Sequence, residues 1–102
     1  MIGHVDITVA NEEEEFEGKV TTWQEVMIHG DPDGLRSLSR ILLELADNNQ
    51  EEMKGLPVGA REHYHLSPSI DISKSSAHLL IGRLDAKGTG DFYGAYIEKD
   101  KN

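Results

Sequence analysis

The 102-residue chain contains no cysteine. Disulfides, thiolate nucleophiles, iron–sulfur clusters and cysteine-based zinc sites are therefore excluded. Small secreted domains often need such staples, so their absence favours a cytoplasmic setting. Long hydrophobic runs are missing too. The longest span three or four residues, against about 20 for a membrane helix. The opening Met1-Ile2-Gly3-His4-Val5-Asp6 has neither the basic nor the apolar region of a signal peptide, and none is expected. Aromatic residues are few, with one tryptophan, three tyrosines and two phenylalanines. Basic residues are scarce: 10 Lys and Arg stand against 19 Asp and Glu, for a net charge of −9. Residues 1–52 hold thirteen acids and three bases, whereas residues 53–102 hold six acids and seven bases. The whole negative excess lies in the first half. Such a field repels nucleic acid and anionic lipid and draws basic partners at salt-dependent rates.

What is present reads as one domain over 1–102, with polar loops and apolar residues (37% of the chain) gathered into periodic segments. Val5 to Val9 alternates apolar and polar residues and predicts a strand with Val5, Ile7 and Val9 inward. Glu12 to Glu15, with Glu17 after Phe16, is expected in an exposed turn or hairpin tip, because like charges resist packing. Lys19 to Ile28 resumes strand character, with Val20, Trp23, Val26 and Ile28 as inward residues and a break or bulge allowed near Thr21-Thr22. Tryptophan is usually buried to a large degree, so Trp23 is assigned to the core or half-core.

A helix start follows. Asp31 suits the N-cap, Pro32 the first helical position and Asp33 the positive end of the helix dipole. Leu35, Leu38, Ile41, Leu42, Leu45 and Ala46 then fall within an arc of roughly 140° at 100° per residue. Gly55, Pro57 and Gly59 mark residues 50–62 as a loop. Short strands are expected at His63–Leu66 and over 77–83, separated by a serine-rich segment anchored by Ile70 and Ile72. Beyond Asp85 the chain is glycine-rich. Phe92, Tyr93 and Tyr96 are the residues to pin it, and 97–102 is expected to be a mobile tail. The expected fold is α+β in ββαββ order: two layers, a four-stranded, mainly antiparallel sheet with one amphipathic helix on one face.

Two clusters offer chemistry. His63 and His65, two apart on a strand, share a face and are candidate metal ligands for zinc or copper. A catalytic zinc needs three protein ligands, and the spacing fixes no third. The carboxylates Glu12, Glu13, Glu14, Glu15 and Glu17 lack the calcium-loop pattern and the two-carboxyl cleft of a glycosidase, and they form instead a candidate protein-binding surface. No G-x-S-x-G elbow and no phosphate loop occurs. No catalytic residues and no cofactor are assigned, and homodimerisation through a free sheet face stays open as an alternative.

Gly30-Asp31-Pro32-Asp33-Gly34-Leu35, the leucine-rich helix ending Leu43-Glu44-Leu45-Ala46, the strand Arg61-Glu62-His63-Tyr64-His65-Leu66, and Ala77 to Arg83 together resemble the immunity protein 32 family of bacterial polymorphic-toxin systems, over roughly residues 26–83. The resemblance implies a non-enzymatic inhibitor whose partner is a toxin. Many toxins of this kind act on nucleic acid and are basic, which an acidic inhibitor complements. It carries over no catalytic residues.

Overall fold

The structure is a computed structural model and describes residues 1–100. It contains β1 (Val5–Phe16), β2 (Lys19–Gly30), one α-helix α1 (Pro32–Asp47), a 3₁₀ turn (Gln50–Glu52), β3 (His63–Leu66) and β4 (Leu79–Gly82). The class is α+β, as expected, and the element order agrees. The single four-stranded sheet does not. Among the described residues β1 pairs only with β2 and β3 only with β4, giving two antiparallel two-stranded sheets. No helix among the described residues is long and apolar enough to cross a membrane. Of the tail expected over 97–102, residues 101 and 102 lie outside the described residues.

The described chain divides into two compact units, residues 1–40 with 65–80, and 41–64 with 81–100. The first unit is built on the β1–β2 hairpin, whose register runs unbroken from Val5↔Gly30 to Phe16↔Lys19. No bulge interrupts it at Thr21-Thr22. Glu17 (φ 51°) and Gly18 (φ 79°) form the two-residue turn. Two successive left-handed residues are what a type I′ hairpin turn requires. The glutamate run is therefore not the tip. Glu12 to Glu15 lie within the distal half of β1.

The failed ladder has a local cause. At the open edge of β1, Ser73 N donates to Val5 O (2.9 Å), Ala77 N donates to Ile7 O (2.7 Å), and Ser76 Oγ accepts from Ile7 N (2.9 Å). Ser73 and Ser75 hydroxyls both donate to Asp6 Oδ1. Serine side chains thus take contacts a ladder would have used, and the segment stays irregular. Ala77, expected in the last strand, belongs to this segment.

Asp31 joins hairpin to helix. Its N donates to His4 O (3.1 Å), and its Oδ1 accepts from His4 N (3.0 Å) and Gly34 N (2.7 Å). The last of these bonds is the N-cap expected from sequence. Ser37, buried on α1, donates to Ile2 O (2.6 Å). The buried apolar residues of this unit are Val5, Ile7, Leu38, Leu66 and Ile72.

The second unit is held largely by polar contacts. Arg83 makes a two-pronged bond to Asp85 (2.8 and 2.7 Å) and donates to Leu45 O (3.0 Å) and Asn48 O (3.2 Å) at the end of α1. Buried Gln50 donates to Asp85 O (2.7 Å) and accepts from Glu62 N (3.1 Å). Arg61 donates to Leu84 O and Asp91 O, both at 2.7 Å, and stacks on Tyr93. Tyr96 packs edge-on to both Phe92 and Tyr93, so the expected aromatic pins cluster with one another.

Three carboxyls are held below the ordinary aspartate range: Asp6 chiefly by the Ser73 hydroxyl, Asp31 by the backbone N–H groups of His4 and Gly34, and Asp85 by the Arg83 guanidinium. A depressed folded-state pKa contributes stability above the unfolded value, near 3.9, and loses it as pH falls through the folded value. The urea midpoint is therefore expected to hold between pH 7 and 5 as far as these groups decide it, and to fall below about pH 4. Asp31→Asn should flatten that acid limb. An equally steep limb in the variant would remove Asp31 from the account.

Candidate partner-binding surface

Antiparallel pairing places directly opposed residues on the same face. One face of the hairpin carries Val5, Ile7, Val9, Asn11, Glu13 and Glu15 against Gly30, Ile28, Val26, Gln24, Thr22 and Val20. The other carries Ala10, Glu12, Glu14 and Phe16 against Glu25, Trp23, Thr21 and Lys19. Only Val5 and Ile7 are buried. Val9, Val20, Trp23, Val26 and Ile28, all expected inward, are exposed by 45–60%. The reason is length. A twelve-residue strand reaches about 40 Å at 3.3 Å per residue. The nine residues of α1 that belong to this unit, Pro32–Arg40, reach only about 13 Å at 1.5 Å per residue.

The distal half is therefore bare on both faces, with apolar and acidic residues side by side. Glu13, Glu14, Glu15 and Glu17 are exposed and Glu12 half-exposed, and none is in an ion pair among the described residues. Phe16 is 71% exposed beside them. Gln24 donates to Asn11 across the strands (3.3 Å). At the proximal end Leu35 lies against Gly30, where an added methyl would stand 3.1 Å from its Cγ and Cδ2. The apolar surface thus runs from Leu35 over Gly30 to Ile28 and Val26. The structure brings all five predicted glutamates onto one hairpin end. It adds the apolar neighbours Val20, Trp23 and Val26, which the strand pattern puts inward. A signal for them was present: four consecutive glutamates on a strand put carboxylates on both of its faces, so neither face can enclose a core there.

His63 and His65 lie two apart on β3, both exposed, with His63 Nδ1 2.9 Å from Arg61 O. Among the described residues no group of three or more His, Asp or Glu is placed to hold a metal ion.

The scaffold that carries the hairpin has relatives. The immunity protein 32 family matches residues 25–84. The chain belongs to that family. Comparison with curated proteins and with solved structures gives no match. Immunity protein 32 membership implies a toxin protein as partner and a toxin-neutralising role. The match takes in β2 from Glu25, α1, β3 and β4, and with them Asp31, Gly34, Glu62 and Arg83. The acidic half of β1 and the hairpin turn lie outside it.

Proposed function

We propose that this immunity protein neutralises a cognate toxin by binding it, without catalysis, through the distal half of the β1–β2 hairpin. The observation that carries the reading is the combination at that end: five glutamates and the exposed side chains of Phe16, Val20, Trp23 and Val26, on a distal half whose two faces stand open among the described residues. Glutamates supply long-range attraction and fast association with a basic partner, whereas apolar and aromatic anchors supply residence time. Its position also supports the reading. A toxin inhibitor must discriminate between partners, and specificity belongs in a surface that differs from pair to pair. The acidic half of β1 lies outside the family-matched segment, while Asp31, Gly34, Glu62 and Arg83, which hold the two ends of α1, lie inside it.

The test is capture of the cognate toxin from the native host, followed by stopped-flow at two salt concentrations. Replacing Glu12, Glu13, Glu14 and Glu15 together with glutamine is expected to slow association roughly tenfold at low salt and much less at high salt. Trp23→Ala should act instead on the dissociation rate. An on-rate indifferent to the four replacements would move the interface elsewhere.

A further inference from the structure

The two open edges of the hairpin differ. Ile7 donates to and accepts from groups outside the hairpin, so its peptide groups point away from β2. The alternation of an antiparallel pair extends this outward orientation to Val9, Asn11, Glu13 and Glu15 on β1 and to Val20, Thr22, Gln24, Val26 and Ile28 on β2. Among the described residues no hydrogen bond fills the outward backbone groups of β2. Natural sheets protect such edges with charge, proline or bulges. β1 does so with its glutamates. β2 has no proline and no bulge, and its only ionic residues between the turn and His29 are Lys19 and Glu25.

From this asymmetry we infer that β2 is the edge at which two copies of this chain join, strand to strand and antiparallel about a two-fold axis centred on Thr22. That register sets Lys19 opposite Glu25 of the second copy twice over, because Thr22 lies midway between them. It also sets Trp23 opposite Thr21 and Val20 opposite Gln24. Neither Lys19 nor Glu25 has an ion-pair partner among the described residues. Opposite charges directly across a ladder stabilise it, and like charges destabilise it. Joining through β1 would instead bring glutamate rows together. The product is a four-stranded sheet with both acidic β1 edges outermost.

The experiment is sedimentation of the full chain, without toxin, over a wide concentration range. A monomer–dimer equilibrium is expected. Lys19→Glu should raise its dissociation constant roughly tenfold, since two favourable pairs become two repulsive ones. Adding Glu25→Lys to that variant should restore the wild-type value. Gln24→Pro removes an outward donor that the hairpin's own ladder does not use and should give a monomer with wild-type circular dichroism. If Gln24→Pro does not fold, the charge pair alone decides. A wild type that stays monomeric at every concentration overturns the inference. So does a dimer indifferent to Lys19→Glu, one that the double variant does not restore, or one that survives Gln24→Pro.

Discussion

Gly34→Ala is expected to destabilise the protein by about 3 kcal/mol, lowering its melting temperature by more than about 10 °C. Helix propensity alone predicts the opposite sign, because alanine inside a helix gains up to about 1 kcal/mol over glycine. The surroundings decide. A Cβ at Gly34 would stand 2.1 Å from His4 O, 2.7 Å from His4 C and 2.8 Å from His4 N. These are backbone atoms of the residue that exchanges hydrogen bonds with Asp31. They cannot swing aside as a side chain does. Either the helix start lifts from the hairpin or the Asp31 contacts break, and each costs more than the propensity gain. Gly55→Ala is the control: nothing lies within 4 Å of a Cβ there, and the change should be neutral or slightly stabilising. Thermal unfolding of the two variants side by side checks the contrast. A Gly34→Ala protein that melts with the wild type would mean that the helix does not approach His4 so closely.

Arg83→Met is expected to cost about 2 kcal/mol, from four hydrogen bonds whose partners are then poorly satisfied. Leu45 O and Asn48 O lie at the C-terminal end of α1, where carbonyls lack helical partners. Asp85 would keep a 3.3 Å bond from Gln50 on one carboxylate oxygen. Buried Glu62 adds to the effect. Its Oε1 accepts from Asn48, while its Oε2 has no hydrogen-bond partner among the described residues, and the Arg83 charge acts upon it. Arg83→Lys should rescue little, since an ammonium cannot grip Asp85 with two prongs and reach two carbonyls as well. Urea unfolding provides the measure, with a further check from pH. Because Arg83 holds the Asp85 pKa down, the gap between wild type and variant should narrow as pH falls below about 4. A gap that persists unchanged into acid would assign the stabilisation to packing of the arginine stem.

Much of the local structure was legible. The extent of α1, its Asp31 cap and the bounds of β3 follow from neighbouring residues. The turn falls at Glu17-Gly18 rather than over the glutamate run, because Glu12 to Glu15 pair across the hairpin with Val20 to Trp23. Burial was legible in part. On α1, Leu38 and Leu45 of the apolar arc are buried, yet Leu35 and Leu42 are 46% and 49% exposed. On the hairpin, alternation correctly put Val5, Ile7 and Val9 on one face but could not say where the cover over that face ends. The buried Gln50 and Glu62 gave no signal at all, since polar residues in a loop read as solvated.

The α+β class, the order of elements, the helix cap, the acidic first half and the family can all be read along the chain. Each of these rests on local chemistry or on a motif that spans neighbouring residues. Tertiary structure alone decided that four strands form two sheets and that the distal hairpin stands uncovered. It also decided that Gly34 meets His4 and that Arg83 closes the end of α1. The physical reason is that a strand's periodicity states which side chains share a face, whereas burial depends on whether a distant segment arrives to cover them. Here the segment that reaches β1 brings serines and stops at Ile7.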